Sequence, residues 1–268
     1  MIRIEQARLE ANGRALIDDI DLTIRAGETT VLIGPNGASK SSLVRLVSGA
    51  ARPTSGRVLI DGTPITNFGP HRLALRRAVL SQTHEGGEGF TVEELVRLGL
   101  RLTAGRAPPA VQRAWIDEAL GDVALQGWAN RIVGTLSGGE RQRAHFARVL
   151  VQLRAGADGG QLGALLLDEP IAAQDPAQQL RVLDVAQAHA AAGGTVLLVL
   201  HDLNWAARVA TRIVALKKGR VIADGVPQAV LTGPLLKKLF DVDLNPGCIP
   251  DDRPFVLPQM ARLTVAPE

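Results

Sequence analysis

The sequence predicts an α/β fold with a mainly parallel sheet, preceded by an antiparallel β region and interrupted by a helical segment. Two short apolar strands, "GALLLDEP" and "TVLLVLHD", are separated by a helical stretch over residues 176–192. This β–α–β order requires a parallel sheet whose two faces are both covered. Residues 2–33 instead alternate apolar and polar side chains, which is typical of half-buried antiparallel strands.

The first third of the chain contains the signals for strands, a loop and a helix. The segment "TTVLIG" reads as a strand that runs into a glycine-containing loop, and "SSLVRLVSGA" after it has helical spacing. Asp61-Gly62, inside "GRVLIDGTPI", is a strong turn signal for a hairpin. We therefore expect a strand–loop–helix unit followed by a hairpin.

The remaining elements divide the chain. The segments "TVEELVRLGLRL" and "VQRAWIDEALGDV" are the clearest helices of a helical subdomain over residues 84–154. Glycine and alanine in residues 154–163 indicate an exposed connection, and "RIVALKKGRVIADG" reads as two strands that turn at Lys218-Gly219. The prediction is one domain with an α/β core of residues 1–83 and 155–225, the helical insertion, and a proline-spaced tail over 226–268.

Composition bears on compartment and partners. The net charge is only +3 and the basic residues are scattered, whereas nucleic-acid binding normally needs a basic stripe, so no nucleic-acid partner is expected. Cys248 is the single cysteine, which excludes an intrachain disulfide and fits a reducing compartment. The start "MIRIEQARLE" lacks the apolar core of a secretion signal, and apolar runs fall far short of the ~20 residues that span a bilayer. A soluble chain is expected, whose membrane role would need a partner.

The stretch "GPNGASKSS", residues 34–42, follows the phosphate-loop pattern G-x-x-x-x-G-K-[ST] except at Ser39. In that pattern backbone N–H groups and a helix N-terminus surround phosphate oxygens, Lys40 reaches the β- and γ-phosphates, and Ser41 ligates Mg²⁺. The simpler alternative is an ordinary turn between a strand and a helix. At Ser39, either glycine is needed for an unusual φ or for close approach to phosphate, or the position is helix-like and tolerates serine.

Two further segments carry chemistry. Asp168 and Glu169 end a buried strand, where the first could hold Mg²⁺ and the second could polarise an attacking water. Taken alone, such a pair is more often solvated at the surface. "LSGGE" places Ser137 and two glycines before an amphipathic helix, and its free N–H groups suit a second phosphate contact or a simple cap.

Five motifs occur in the order and spacing of ABC-transporter ATPases: the phosphate-loop stretch of residues 34–42, "LSGGE", "LLLDEP", "QDP" and "LLVLHD". The resemblance covers nearly the whole chain. It implies a P-loop NTPase core that binds ATP and Mg²⁺. It implies catalytic roles for Glu169, His201 and Gln82, and metal ligation by Ser41, Gln82 and Asp168. The nucleotide contacts that it implies are Gly34, Pro35, Asn36, Gly37, Ala38, Ser39, Lys40, Ser41, Ser42, Ser137, Gly138, Gly139 and Asp175.

The resemblance also implies an assembly. Two copies would face head to tail, so that each ATP lies between the loop of one copy and Ser137-Gly138-Gly139 of the other. The dimer would dock on a polytopic permease dimer at the cytoplasmic face of the inner membrane, with a periplasmic substrate-binding protein as an indirect partner. Within the family the chain is most similar to importer ATPases for metal chelates, above all haemin.

Alternatives stay open at this point. Siderophore and cobalamin importer ATPases share much of the same pattern. A soluble ABC ATPase acting on nucleic acid or ribosomes would be expected to carry two cassettes or a long coiled-coil or basic insertion. A nucleotide-binding regulatory module with weakened turnover would have no need of Glu169 or His201.

Three departures from the family pattern accompany Ser39. The family commonly stacks adenine on an N-terminal aromatic residue, but no aromatic residue precedes Phe68, and Arg14 is the candidate to replace it. Gln174 stands where leucine is usual beside Asp175, and Ile171-Ala172 stand where Thr-Ser is usual.

Overall fold

A computed structural model describes residues 1–82, 86–101, 107–157, 162–244, 246–248 and 255–263. The elements of the first part, in chain order, are β1 (Ile2–Ala11), β2 (Arg14–Ile24), β3 (Thr29–Ile33), α1 (Lys40–Ser48), β4 (Ser55–Ile60), β5 (Thr63–Pro64), α2 (Pro70–Arg76) and β6 (Arg77–Leu80). The predicted hairpin is confirmed, since β4 and β5 pair antiparallel with Ile60 opposite Thr63 across Asp61-Gly62.

The rest of the chain is mostly helical before it returns to strands. Its elements are α3 (Val92–Arg97), α4 (Pro109–Asp122), α5 (Gly138–Gly156), β7 (Ala164–Asp168), α6 (Pro176–Ala191), β8 (Thr195–Val199), α7 (Leu203–Val209), β9 (Arg212–Lys217), β10 (Arg220–Gly225), α8 (Pro227–Val230) and α9 (Gly233–Phe240). A short 3₁₀ helix over Pro258–Met260 lies in the described part of the tail.

Two sheets form the framework, as predicted. The first has the strand order β2-β1-β4-β5, and all of its pairs are antiparallel. The second has the order β10-β9-β3-β8-β7-β6, in which every neighbouring pair is parallel except β10 with β9. The turn between β9 and β10 lies at Lys218-Gly219, where both residues have positive φ.

The parallel sheet is buried on both faces because its side chains alternate between two cores. On one face, Val31 and Leu198 pack in a cluster with the helices α3 to α7. On the other face, Leu32 and Val199 pack with α1 and the antiparallel sheet. This double burial explains the continuous apolar runs of β7 and β8, all of whose residues are buried.

The predicted connection over residues 154–163 is only partly a connection. Residues 154–156 form the last turn of α5, where Ala155 and Gly156 are buried. Residues 158–161 of this prediction, and residues 84 and 85 at the predicted start of the helical subdomain, lie outside the described residues. A separate strand, β6, was not predicted, because four residues are too short for a periodic signal.

Among the described residues, none of the helices combines the length and the apolar composition that a bilayer crossing requires.

Candidate functional site

The candidate site lies at the edge of the parallel sheet where four neighbouring strands end. Strands β6, β7, β8 and β3 are adjacent and parallel, so the residues after their carboxyl ends meet at this edge. A cleft of about 660 Å³ opens there. Its lining includes nine residues predicted for the site: Asn36, Gly37, Ser39, Lys40, Ser41, Ser42, Gln82, Glu169 and His201.

The loop between β3 and α1 is shaped for close approach. Gly34 has φ 150°, and a Cβ on it would lie 2.2 Å from the carbonyl oxygen of Leu216, so only glycine fits. The backbone N–H of Ala38, a buried residue, donates to the carbonyl of Pro35 at 3.1 Å. The loop is therefore packed against β9 and closed on itself, which fixes its backbone before any ligand arrives.

The Lys40 side chain is buried under this loop. It is 6% exposed, and its Nζ donates to the carbonyls of Gly34 at 2.8 Å and Pro35 at 3.1 Å. Burial lowers the pKa of Lys40, while the carboxylates of Glu169 and Asp168 act in the opposite direction. The loop thus holds a partly desolvated cation where a phosphate would add its charge.

Ser39 adopts the left-handed conformation, with φ 74° and ψ 27°. Its carbonyl accepts from the N–H of Leu43 at 3.0 Å, so it caps α1 through its backbone, and its side chain makes no capping hydrogen bond. Of the two alternatives for this position, the unusual φ is therefore the observed one. Residues with a Cβ pay a conformational cost there that glycine does not.

Asp168 and Ser41, both predicted as metal ligands, are in hydrogen-bond contact. Asp168 is 4% exposed, and the Ser41 hydroxyl hydrogen-bonds its carboxylate, while Oδ1 has no hydrogen-bond partner among the described residues. Burial raises the pKa of Asp168 above its usual range, against the opposing Ser41 hydrogen bond. A buried carboxylate oxygen without a partner, beside a hydroxyl, fits a hard cation such as Mg²⁺.

Glu169 is held from three directions. His201 Nε2 hydrogen-bonds Oε1, Gln82 Nε2 donates to Oε2 at 3.1 Å, and Gln142 Nε2 donates to the backbone carbonyl at 2.8 Å. The residue itself has φ 54°, an uncommon backbone conformation for a non-glycine residue. The three predicted catalytic side chains therefore form one hydrogen-bonded group at the cleft.

The segment "LSGGE" begins helix α5. The Ser137 hydroxyl accepts from the Glu140 N–H at 3.4 Å, and the Glu140 carboxylate accepts from the Ser137 N–H at 2.8 Å. This capping box, chiefly its backbone hydrogen bond, lowers the pKa of Glu140. Ser137, Gly138 and Gly139 are not among the residues that line the cleft of their own chain.

Asp175 is likewise not part of this cleft. Its carboxylate caps α6 by accepting from the Gln178 N–H at 3.0 Å. The structure thus gives Asp175 the ordinary capping role that its sequence context allows.

Two cationic side chains besides Lys40 also line the cleft. They are Arg14 and Lys218, which lie in the lining with Ala15 and Leu16, and the lining contains no Phe, Trp or Tyr. Arg14, which was predicted to contact the base, therefore lines the same cleft as Lys40 and Glu169. Lys218 lies in the β9–β10 turn and was missed, because a lysine in a turn carries no signal for a ligand.

Gln142 was also missed. It is 8% exposed and holds both the backbone of Glu169 and the side chain of Gln174. Its position two residues after "LSGGE" gives no sign of this role, since the contacts depend on how α5 packs against the loop after β7.

The sequence matches the family model described as ABC transporter over residues 17–172. The chain is 46% identical over 261 residues to the hemin import ATP-binding protein HmuV of Rhodopseudomonas palustris strain ATCC BAA-98 / CGA009, covering 97% of this chain and 95% of the relative. It is 39% identical over 264 residues to the protein of the same name from Rhizobium meliloti strain 1021, covering 98% of this chain and 100% of the relative.

Solved structures have the same fold. An ATP-binding subunit of an ABC transporter superposes with a TM-score of 0.76 at 22% identity, covering 90% of this chain and 93% of the other. A dimeric ATP-binding cassette in a post-hydrolysis state, bound to ADP and Pi, gives a TM-score of 0.74 at 24% identity, covering 85% of this chain and 99% of the other.

Proposed function

Because the chain belongs to the ABC transporter family, whose ATP-binding subunits couple ATP hydrolysis to transport, we propose that it powers the import of haem across the inner membrane. The observation that supports ATP hydrolysis is the hydrogen-bonded group of Glu169, His201 and Gln82, which lines the same cleft as Lys40. The haem assignment is supported by relatives named for hemin import that are 39–46% identical over nearly the whole chain.

Glu169 is the residue that would polarise the attacking water. A general base must lie within hydrogen-bond reach of the proton that it accepts, and both carboxylate oxygens are occupied here by His201 and Gln82. Before a water can hydrogen-bond this carboxylate, one of these two partners has to release its oxygen or share it. The attacking water would therefore compete with Gln82 and His201 for this carboxylate.

Lys40 and the loop backbone would hold the phosphates. The Lys40 ammonium is already positioned by two loop carbonyls, so little side-chain entropy is lost when a phosphate adds a third contact. Ser41, Asp168 and Gln82 supply the oxygen ligands for Mg²⁺, and the ion, when bound, would offset the negative charge on the β- and γ-phosphates.

A second copy would complete the site. Ser137, Gly138 and Gly139 begin a helix whose N-terminus favours anions, but they do not line the cleft of their own chain. Head-to-tail pairing would bring this end of α5 from one copy to the ATP of the other. ATP would then stabilise the closed dimer because it binds that state better, and hydrolysis would release it.

A permease dimer in the membrane would follow this closure, with a periplasmic binding protein delivering the substrate. In this arrangement the chain works at the cytoplasmic face of the inner membrane. Substrate choice would belong to the permease and the binding protein.

The test is reconstitution. The chain is tagged, the polytopic membrane protein that co-purifies with it is identified, and the complex is placed in liposomes with ATP on the side of the ATPase. ATP-dependent movement of haem, abolished by Glu169→Gln, is the expected result. Movement of a siderophore or cobalamin but not of haem would overturn the assignment of haem as the substrate. Capture of RNA and no membrane protein would overturn the importer function.

A further inference from the structure

The C-terminal tail returns to the catalytic region through one buried glutamine. Gln259 lies in the short 3₁₀ helix Pro258–Met260 and is 8% exposed. Its Nε2 donates to Asp202 Oδ2 at 2.9 Å. Arg208 of α7 donates to the backbone carbonyls of Gln259 and, at 3.1 Å, of Ala261. The tail is thus attached at two points to the loop and helix that follow β8.

Asp202 directly follows His201 and determines how α7 begins. Its Oδ1 accepts from the backbone N–H of Asn204 at 2.7 Å and of Trp205 at 3.1 Å. Gln259 donates to the other oxygen, so both oxygens of the Asp202 carboxylate accept hydrogen bonds. Because a cap residue fixes the chain direction at a helix start, the orientation of Asp202 bears on where the neighbouring His201 side chain points.

The polar contacts hold this part of the tail, whereas apolar burial does not. Val256 and Met260, on either side of Gln259, are 84% and 79% exposed. A segment that served only to cover the core would bury these side chains and expose the glutamine. The observed pattern is the reverse, and it directs the buried amide at the cap of α7.

We propose that Gln259 is a positioning residue for ATP hydrolysis, which holds His201 against Glu169 by fixing the Asp202 carboxylate. The inference rests on the proposed catalytic role of Glu169 and His201. It gives the tail, for which the sequence suggested no chemistry, a part in setting the turnover rate. Since Gln259 does not line the nucleotide cleft, its loss should change kcat and leave the KM for ATP nearly as it was.

The decisive variant is Gln259→Glu, which sets a carboxylate against that of Asp202. We expect kcat for ATP hydrolysis by the 268-residue chain to fall roughly three- to tenfold, the worth of one hydrogen bond, with KM for ATP little changed. Met260→Ala, a substitution of the exposed neighbour, is the control and should behave as wild type.

The combination of Asp202→Asn with Gln259→Glu exchanges donor and acceptor and keeps a helix-capping residue. It should recover most of the lost kcat. Thermal unfolding shows whether Gln259→Glu folds. If it does not, Gln259→Ala, which adds no charge, replaces it in the kinetic measurement.

The outcomes are separable. If Glu169→Gln abolishes hydrolysis but both Gln259 variants match Met260→Ala, the positioning role is wrong and the catalytic role of Glu169 stands. If Asp202→Asn combined with Gln259→Glu does not recover the kcat lost in Gln259→Glu, the positioning role is also wrong. If Glu169→Gln hydrolyses ATP normally, the proposed catalytic group is wrong and the inference falls with it.

Discussion

The side-chain amides of Gln142 and Gln174 are hydrogen-bonded to each other, from Gln174 Nε2 to Gln142 Oε1 at 3.2 Å. The same Gln174 nitrogen donates to the carbonyl of Pro170 at 3.0 Å, and Gln142 Nε2 donates to the carbonyl of Glu169. A polar chain therefore joins α5 to the loop that carries the proposed catalytic base. Gln174 stands where the family resemblance leads us to expect leucine, and a leucine side chain could not make these hydrogen bonds.

Replacing Gln174 with leucine should weaken the link. Gln174→Leu leaves the buried Gln142 Oε1 without its donor, and we expect the free energy of unfolding to fall by about 1 kcal/mol. Denaturant unfolding measures this. Because two partners of one interaction are not independent, Gln142→Leu combined with Gln174→Leu should cost less than the sum of the single changes. Strict additivity would show that the two amides are not coupled.

Ser39 should be improved by glycine. A non-glycine residue in the left-handed region costs of order 1–3 kcal/mol, and glycine regains this less the ~0.4–1 kcal/mol of extra entropy in the unfolded chain. We expect Ser39→Gly to raise the free energy of unfolding by up to about 2 kcal/mol. Ser39→Ala is the matched control, since it keeps the Cβ and removes only a hydroxyl that makes no capping hydrogen bond.

The same two variants address the nucleotide. If the strain at Ser39 is equal in the free and bound loop, ATP affinity will not change in Ser39→Gly. A gain in ATP affinity for Ser39→Gly alone would show that the Cβ obstructs the phosphate. A stability of Ser39→Gly no greater than that of Ser39→Ala would contradict the strain argument.

The sequence predicted what depends on local pattern. The β–α–β order of β7, α6 and β8 follows from apolar runs and helical spacing, and the turn at Lys218-Gly219 follows from a glycine, which readily accepts positive φ. Because parallel strands end at one edge of a sheet, the structure places Lys40, Glu169 and His201 in one cleft, as their order along the chain suggested.

What the sequence did not provide depends on packing across long separations. The contact of Gln259 with Asp202 joins residues 57 positions apart, and that of Gln142 with the Glu169 carbonyl joins residues 27 apart. A glutamine carries no sign of its partner, because in most proteins it is solvated at the surface. The sequence did not determine the φ of Ser39 either, because a serine at this position is compatible with a left-handed backbone and with a helical one.

Asp168 should limit the stability of the protein without ligand. Its folded-state pKa is raised by burial, so the folded state holds the proton more tightly than the unfolded chain does. Stability therefore falls as the pH rises from the ordinary pKa of 3.8 through the raised value, and the loss persists at neutral pH. Asp168→Asn should raise Tm at pH 7, should lose this advantage in acid, and should abolish Mg²⁺-dependent ATP hydrolysis.

Asp184 provides the control for Asp168. Partial desolvation raises its pKa as well, but its side chain is exposed on α6 and does not line the nucleotide cleft. Asp184→Asn should therefore change Tm at pH 7 much less than Asp168→Asn does, because solvent screens an exposed carboxylate, and ATP hydrolysis should continue at the wild-type rate. If the Tm of Asp168→Asn is equal to or lower than that of wild type, the charged carboxylate does not destabilise the protein without ligand.

Arg14 should contribute to affinity through the base and not through the phosphates. It lines the cleft with Leu16 and Lys218, and the lining contains no Phe, Trp or Tyr. A guanidinium plane stacked on adenine is worth about 0.5–2 kcal/mol, so Arg14→Ala should weaken ATP binding roughly 2- to 30-fold. Tripolyphosphate, which has no base, should bind Arg14→Ala and wild type equally, as calorimetric titration can determine.

Variants of Lys218 and an aromatic replacement of Arg14 separate stacking from charge in the cleft. Arg14→Tyr removes the charge but keeps a plane that can stack, so it should retain ATP affinity that Arg14→Ala loses. Lys218→Ala removes a cation without a plane, and a general electrostatic role would weaken tripolyphosphate as much as ATP. If Arg14→Ala weakens both ligands by the same factor, Arg14 acts as a charge near the phosphates, and the adenine must be held by other residues.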